Sequence, residues 1–599
     1  MAGLSRRRFI AATAGLAAAW GLPQQTLGAA LAAPLRPADV PTTLRETIRQ
    51  RSVGTRQYRT LATAPGEPYI PRYDLLGKVA DSARATRRRS LVYLGHMTDI
   101  HIMDAQSPAR LEPMAAQSPS TWQGSIRPQD ALTVHVQAQM VAAMNAARFS
   151  PVTGAPMAAV FNTGDSADQH SMLELRWYID AMDGVPVTPD SGAPGQYEGP
   201  QVWDEATYAW HPEAPDSDSF GAYGFPRIPG MLTAAVSDEV RSEGLLAPWY
   251  AVYGNHDTVY YGAFPIGAAL HELAVGSRKP VLWQDLAQNY LAGMAADSTI
   301  LGRLEHDLRT QFGRIEGFRT VTPDPNRKMF EQVQFMAEHF ATQPQPGPVG
   351  HGFTQANLDT NTGYWAADIG PHLRLFGLDT CNQVMGADGA VPQDQFDWLQ
   401  DQLTQARDQN KLAIVLSHHN SKTLENTAVA AVGESQPLIH TEQFIDMLLQ
   451  FPNLIAWSNG HTHINTIVAH PREDGAGGFW ELTAASCIDY PQQQQLLEVV
   501  DNRDGTLSIF ATTLDHASGA AWRDGDFSQA GLASLSRELA SNDWIADPLI
   551  RLGSPLDRNV ELLLPAPFDL ARISDTELEK ETMRRKATLL GNARSGGVS

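Results

Sequence analysis

The chain has 599 residues, more than one ordinary core accommodates, so we expect several domains or one domain with long insertions. Hydrophobic residues make up 43% and aromatic residues 8% of it, which excludes a wholly disordered protein. The formal net charge of −21 disfavours nucleic-acid binding, because so acidic a surface repels a phosphate backbone. Small phosphoesters stay possible where bound metal ions invert the local field.

The N-terminus has the pattern of an export signal. Arg6 and Arg7 precede an Ala/Leu/Gly-rich stretch, and small residues follow before Pro34. This order predicts a signal peptide over residues 1–33, and the paired arginines resemble the twin-arginine signal read by the Tat export machinery. We therefore expect an extracytoplasmic protein, in the periplasm, at the cell surface or secreted; the alternative is a disordered basic tail. No later segment is long and apolar enough to span a membrane in the mature chain.

The pattern of elements predicts an α/β domain between two less regular ends. Residues 34–90 are polar and arginine-rich and form an N-terminal extension, and residues 516–599 form a mixed, partly helical tail. Two insertions, at about 184–247 and 260–350, interrupt the domain. Predicted strands cover residues 91–94, 157–161, 249–253, 363–368, 373–378, 412–416, 454–457, 479–482, 496–500 and 507–512. Predicted helices cover residues 128–148, 171–182, 395–407, 441–450 and 576–586.

Five short runs of potential metal ligands follow predicted strands. They are Asp99-Ile100-His101, Gly164-Asp165, Gly254-Asn255-His256-Asp257, His418-His419 and Gly460-His461-Thr462-His463. In open α/β sheets, sites are built at the carboxyl ends of the strands. The runs supply carboxylates, imidazoles and one carboxamide but no thiolate, a set that suits Mn, Fe, Zn or Co rather than a structural zinc. The pattern predicts a two-metal hydrolase.

The spacing within the runs fits a shared site. Asp99 and His101 are separated by one residue, as are His461 and His463, so at a strand end each pair would project to the same side. The neutral amide of Asn255 would add a ligand without adding negative charge. The site would then stay cationic enough to attract a phosphoester.

In this order the runs resemble the D-x-H, G-D, G-N-H-[DE], strand-end His and G-H-x-H motifs of the calcineurin-like metallophosphoesterase superfamily. The stretch from His96 to Arg110 is similar to a bacterial, Tat-exported subgroup with long insertions. The motif-bearing part spans about residues 91–515. The resemblance implies a four-layer α/β/β/α sandwich with two mixed β-sheets. It also implies hydrolysis of a small phosphoric mono- or diester by water that two metal ions activate.

The resemblance further implies a role for each ligand. The side chains expected to hold one metal ion are those of Asp99, His101 and His463. The side chains expected to hold the other are those of Asn255, His418 and His461. Asp165 would bridge the two ions, which need a shared anionic ligand at about 3.5–4 Å separation. His256 would reach the substrate phosphate, where it would stabilise negative charge or protonate the leaving oxygen.

Three neighbouring residues have secondary expectations. His418 is preferred to His419 as the ligand, so His419 would lie behind the ligands or face the substrate. Asp257 would orient a ligand or cap a turn. Asp168 stands where purple acid phosphatases of the same superfamily carry an iron-binding tyrosine, so a ferric tyrosinate site is not expected.

Two alternatives accompany this interpretation. Cys381 and Cys487 cannot build a disulfide framework and are expected as free thiols, with a single bridge as the alternative. The rival function is a catalytically silent, metal-stabilised binding protein of the cell envelope. The intact ligand set argues against it, since a silent relative would be free to lose His256 or Asn255.

Overall fold

Two mixed β-sheets with flanking helices form the fold. The computed structural model describes residues 39–51, 57–77, 79–116, 123–214, 218–264, 266–281, 317–428, 436–473, 475 and 477–595. The predicted signal peptide, with Arg6 and Arg7, lies outside the described residues and stays a prediction.

The described strands are β1 (Glu46–Gln50), β2 (Leu61–Pro65), β3 (Ile70–Arg72), β4 (Arg89–Met97), β5 (Ala159–Asn162), β6 (Trp249–Ala251), β7 (Arg278–Pro280), β8 (Phe318–Thr320), β9 (Trp365–Asp368), β10 (Leu373–Gly377), β11 (Val391–Pro392), β12 (Leu412–Leu416), β13 (Leu438–Ile439), β14 (Leu454–Asn459), β15 (Thr466–Pro471), β16 (Gly478–Thr483), β17 (Gln493–Asp501), β18 (Thr506–Asp515) and β19 (Val560–Pro565). The described α-helices are α1 (Arg84–Arg87), α2 (Thr133–Ala146), α3 (Met172–Asp183), α4 (Ser219–Tyr223), α5 (Met231–Ser237), α6 (Ala268–Val275), α7 (Gln332–Glu338), α8 (Gln355–Thr360), α9 (Gln393–Asp408), α10 (Thr441–Leu448), α11 (Gln529–Ala540) and α12 (Asp575–Ser595).

Both large sheets combine parallel and antiparallel pairs. The seven-stranded sheet has the order β3-β19-β18-β17-β4-β5-β6, and the six-stranded sheet has the order β15-β16-β14-β12-β10-β9. In the first sheet β4, β5 and β6 are parallel neighbours. In the second, β10, β12, β14 and β16 are parallel neighbours. These parallel strands are the ones that lead into the five ligand runs, apart from β10 and β16.

Alternating side chains place the two sheets and their helices in layers. In β12, Ile414 belongs to the same buried cluster as Leu94 and Leu497 of the seven-stranded sheet. Its neighbour Val415 instead belongs to a separate cluster with side chains of α9 and α10. Because successive strand residues point to opposite faces, β12 packs on the other sheet with one face and on helices with the other.

The seven-stranded sheet carries helices on its outer face. A Cβ atom on Gly95 of β4 would lie 3.0 Å from the sulfur of Met144, so α2 covers that face closely. Helix α11 packs against α2 in turn. The succession of helices, sheet, sheet and helices confirms the predicted α/β class with two mixed sheets.

Every predicted strand and helix has a counterpart among the described elements. The two ends of the chain, however, take part in the fold more than we expected. We placed residues 34–90 and 516–599 outside the motif-bearing domain, yet β3 and β19 lie in the seven-stranded sheet. Strand β19 pairs antiparallel with β18, and its first five residues are buried. The tail therefore contributes to the sheet that carries three of the ligand runs.

The two cysteines are both buried and both free thiols, in line with the expectation. Among the helices in the described ranges, none combines the length and the apolar character that crossing a membrane requires.

Candidate metal centre

The five ligand runs meet where the carboxyl ends of the parallel strands of both sheets come together. Strands β4, β5 and β6 lead into Asp99, Asp165 and Asn255 on one side. Strands β12 and β14 lead into His418 and His461 on the other. The arrangement follows from parallel pairing, which puts equivalent strand ends at one edge.

Five of the proposed ligands have a left-handed backbone. Their φ angles are 49° at Asp99, 48° at His101, 53° at Asp165, 68° at His461 and 58° at His463. The paired ligands thus lie in turns beyond the strands and not, as we expected, in the extended strand ends themselves. Non-glycine residues rarely adopt this conformation, at a cost of about 1–3 kcal/mol each, and such residues cluster at functional sites.

Glycines allow the turns to pack this closely. A Cβ atom on Gly254 would lie 2.1 Å from both the backbone nitrogen and Oδ1 of Asp165. One on Gly460 would lie 2.0 Å from Oγ1 of Thr98 and 2.3 Å from Oδ2 of Asp99. Gly254 and Gly460 therefore each leave room for an acidic ligand from another run.

A first cluster contains Asp99, His101, Asp165 and His463, whose ligand atoms all lie within 4.8 Å of one another. His101 Nε2 is 3.2 Å from His463 Nε2 and 3.4 Å from Asp165 Oδ2. His463 Nε2 is 3.2 Å from Asp99 Oδ1. Two imidazole nitrogens and two carboxylates thus point at one small volume.

A second cluster is built around Asn255. Its Oδ1 lies 2.8 Å from His418 Nε2 and 3.0 Å from His461 Nδ1. His418 Nε2 is also 3.2 Å from Asp165 Oδ2, the same oxygen that reaches His101. Asp165 therefore lies between the two clusters, where one carboxylate can serve both.

The orientation of the imidazole rings fits metal ions. His101 Nδ1 lies 3.0 Å from Asp168 Oδ1, His463 Nδ1 lies 2.7 Å from Asp489 Oδ2, and His418 Nδ1 lies 2.8 Å from the carbonyl oxygen of Thr163. Because each acceptor holds a ring proton on Nδ1, Nε2 is the nitrogen that faces the cluster and that could bind a metal ion once it is deprotonated. A metal ion on the Nε2 side would therefore leave the Nδ1 hydrogen bonds in place.

The electrostatics of the cluster favour ionised ligands. Burial raises the pKa of Asp165, but His418, His256 and His101 outweigh it and hold that pKa well below its ordinary value. Burial lowers the pKa of His418, whereas Asp165 raises it, to about 9 overall. Without metal, this histidine and the carboxylate form an ion pair, and a metal ion would take the place of the proton.

His256 is placed beside the ligands rather than among them. Its Nδ1 donates to the carbonyl oxygen of Asp168 at 2.7 Å, and its backbone nitrogen donates to Asp165 Oδ1 at 2.8 Å. Its Nε2 has no hydrogen-bond partner among the described residues, and its side chain is 17% exposed. Burial lowers the pKa of the ring. One ring nitrogen is thus held in place and the other is available to a ligand.

His419 and Asp257 have structural contacts. His419 is fully buried, with Nδ1 2.9 Å from Thr380 Oγ1 and Nε2 2.8 Å from the carbonyl oxygen of Ala387. Both ring nitrogens are engaged by protein atoms, and His419 lies beside His418 and His461, whose ligand atoms lie within 4.8 Å of its own. The carboxylate of Asp257 accepts hydrogen bonds from the backbone nitrogens of Ser166, Ala167 and Gly254, and so ties two ligand turns together.

Two carboxylates that orient the ligands were missed in the sequence. Asp489 follows β16 and was assigned no role, and Asp168 was considered only as a replacement for tyrosine. Asp168 bonds His101 through its side chain and His256 through its backbone, while Arg110 Nη1 lies 3.1 Å from its Oδ2. The only sequence signal for Asp489 is that an acidic residue follows a predicted strand, as in the five runs.

Replacing Asp168 with Asn should weaken metal binding by about 10–100-fold, because the amide is a poorer acceptor for the His101 ring proton. Calorimetric titration of the metal-free variant with Mn²⁺ measures this loss. Asp130→Asn is the matched control, since Asp130 also pairs with Arg110, at 2.8 Å, and forms no described bond with His101. Equal metal affinity of Asp168→Asn and the unchanged protein would contradict the orienting role.

Comparisons with known proteins return distant likenesses. No protein-family model and no curated protein matches the chain. The chain is similar to the crystal structure of a dimetal phosphatase from Danio rerio, with 10% identity and a TM-score of 0.31, over 72% of this chain and 97% of that one. It is also similar to the purple acid phosphatase PPD1 from yellow lupin seeds, with 10% identity and a TM-score of 0.27, over 77% of this chain and 55% of that one. Likenesses this weak carry no argument about activity.

Fold and site together define the class: a two-sheet α/β protein with a candidate dinuclear metal centre at the joined strand ends.

Proposed function

We propose that this chain is a metal-dependent phosphoesterase of the calcineurin-like kind that hydrolyses phosphoric mono- or diesters. The observation that carries the proposal is the position of Asp165 Oδ2, 3.4 Å from His101 Nε2 and 3.2 Å from His418 Nε2. A carboxylate shared by two converging ligand clusters is what a pair of adjacent cations requires.

The ligand assignment follows from the two clusters. One ion would be held by Asp99, His101 and His463. The other would be held by Asn255, His418 and His461. Asp165 would bridge them, and the nitrogen and oxygen donors suit Mn, Fe, Zn or Co. When bound, two such ions supply an acidified water and electrostatic stabilisation of the phosphoryl oxygens.

His256 would act on the substrate directly. Its ring is fixed through Nδ1 by the carbonyl oxygen of Asp168, so Nε2 points away from that carbonyl with little freedom. Because burial lowers its pKa, the protonated ring is a stronger acid than an ordinary histidine. A proton held at Nε2 can therefore stabilise a phosphoryl oxygen or pass to the leaving alcohol.

Hydrolysis of p-nitrophenyl phosphate and bis-p-nitrophenyl phosphate, with Mn, Fe, Co or Zn supplied separately, tests the activity and separates monoesterase from diesterase action. We expect turnover of at least one ester with at least one metal. No turnover under any of these conditions would instead favour the silent binding protein of the cell envelope.

We also propose that the Tat machinery exports the chain, on the strength of Arg6 and Arg7 before the apolar stretch. Replacing both with Lys should leave the protein in the cytoplasm of a Tat-competent host, as cell fractionation would reveal. The same change at Arg45 and Arg49, beyond the predicted cleavage region, is the control. Equal export of all three forms would reject a twin-arginine signal.

A further inference from the structure

The candidate metal centre is partly exposed at three of its histidines. Asp99 and His418 are fully buried, whereas the side chains of His463 and His256 are 13% and 17% exposed and His461 is also partly exposed. A substrate therefore approaches over these three histidines, which form the open side of the centre. The residues that border this side are the ones that can contact the part of the substrate away from the scissile phosphate.

The carboxylate of Asp489 accepts a hydrogen bond from His463 and forms ion pairs with two arginines. Arg127 contacts both of its oxygens, at 2.8 Å from Nε and 3.3 Å from Nη2, and Arg551 pairs with it through Nη1. Burial raises the pKa of Asp489, but Arg127, Arg551 and His463 together hold it well below its ordinary value. Two guanidinium groups therefore share this one carboxylate as their ion-pair partner, and Asp130 and Asp543 are close enough to Arg127 and Arg551 to interact with them electrostatically.

The two arginines differ in their free donors. All three guanidinium nitrogens of Arg127 have a partner, because its Nη1 also donates to the carbonyl oxygen of Gly124 at 3.0 Å. Arg551 uses only Nη1, and within the described part of the chain its Nε and Nη2 have no hydrogen-bond partner. Its side chain is 15% exposed. Burial raises the pKa of Asp543, which Arg551 opposes only in part, and Asp543 forms no described ion pair with Arg551. Arg551 thus presents two unused, charged donors beside the open side of the centre.

Arg551 is held in place by the loop that carries His463. It lies in a short 3-10 turn, Pro548–Leu552, of the C-terminal tail. Its carbonyl oxygen accepts from the backbone nitrogen of Asn465 at 3.1 Å. A Cβ atom on Gly553 would lie 2.1 Å from the carbonyl oxygen of Asn465, so the two segments are in close contact. The tail therefore presents the guanidinium at a fixed position relative to the ligands.

We propose that Arg551 binds a second anionic group, a carboxylate or a phosphate, on the alcohol portion of the substrate. The proposal rests on the proposed phosphoesterase function and specifies its substrate class. A planar guanidinium with two adjacent free donors matches the paired oxygens of either anion. The scissile phosphate would lie at the metal centre, and the second anion would lie beyond His463 and Asp489.

Three families of alkyl phosphates test this, with two, four or six carbons between the ends. One ends in a methyl group, one in a carboxylate and one in a second phosphate. With the metal-loaded protein we expect kcat/KM to be about 10–100-fold higher for at least one anion-ended ester than for its methyl-ended match, as expected for a charged hydrogen bond. Because a bisphosphate has two equivalent phosphates that can be hydrolysed, its kcat/KM is halved before the comparison. The two anion-ended families distinguish a carboxylate site from a phosphate site.

Arg551→Gln should remove this preference, mainly through KM, and leave the methyl-ended esters nearly unchanged. If Arg551 served only to position Asp489, all three families would slow equally. Arg374→Gln is the matched control. Arg374 is 14% exposed and pairs with Asp368 of β9, at the edge of the six-stranded sheet opposite to β15. No preference at any chain length, or a preference that survives Arg551→Gln, would overturn the proposal.

Failure of the phosphoesterase function itself would look different. In that case none of the esters would be hydrolysed, including the methyl-ended ones. Calorimetric binding of butane-1,4-diphosphonate and butylphosphonate, which cannot be hydrolysed, would then still decide on the anion site. Tighter binding of the diphosphonate that Arg551→Gln removes supports it, and equal binding of the two compounds rejects it.

Discussion

Replacing Asp165 with Asn should remove both metal ions and abolish hydrolysis. The amide keeps the size of the side chain and can still accept the hydrogen bond from the His256 backbone nitrogen, so the turn should fold. It cannot supply the negative charge that Oδ2 places within 3.4 Å of His101 and 3.2 Å of His418. Losing a shared ligand should cost more than the about 10–100-fold in metal affinity that follows loss of an orienting partner.

Metal content by mass spectrometry and turnover of the better p-nitrophenyl ester measure this effect together. Asp218→Asn is the matched control, because Asp218 is a buried carboxylate that also accepts backbone hydrogen bonds, from His211 and Gly221, in the first insertion. The control should keep both metal ions and its activity. Asp165→Asn protein with two bound ions and unchanged turnover would exclude the bridging role.

Replacing His256 with Ala should leave the metal ions bound and lower kcat by about 10²–10⁴-fold, the range expected for a group that transfers a proton. The ring supplies no atom to either ligand cluster as we have assigned them. Its free Nε2 and its fixed Nδ1 instead suit a contact with substrate.

Stopped-flow or steady-state kinetics, together with analysis of the bound metal, distinguish this role from a structural one. His440→Ala is a suitable control, because His440 is also half-buried and holds a backbone carbonyl oxygen, that of Asn426, through one ring nitrogen. It should keep full turnover. Loss of metal from His256→Ala would make His256 a ligand, and an unchanged kcat would remove it from the chemistry.

The elements and the ligand runs could be predicted because their signals are local. β12 was predicted with its observed bounds, because five consecutive apolar residues indicate a strand that is buried on both faces. The ligand runs were found because each follows such a strand within a few residues. β19 was missed although its residues Val560–Pro565 are mostly apolar, because no ligand run or turn signal set it apart from the mixed tail.

The contacts between distant segments could not be predicted in this way. His463 and Asp489 are 26 residues apart and meet only because β15 and β16 return the chain to the same edge. The left-handed turns at Asp99 and Asp165 pack against Gly460 and Gly254 of other runs, and no residue preference encodes these contacts. The sequence of the doublet His418-His419 does not indicate which ring faces the centre. The contacts of His419 with Thr380 and Ala387 show that the ring of His418 does.

Titration of the metal-free protein with Mn²⁺ tests the central claim most directly. Bound metal per chain and hydrolysis of the better p-nitrophenyl ester would be measured at each addition, after the native metals have been removed with a chelator. We predict no turnover without metal and a rate that reaches its maximum when two ions are bound per chain. Full turnover of the metal-free protein, or a rate that is already maximal with one ion bound per chain, would contradict a dinuclear centre at Asp165.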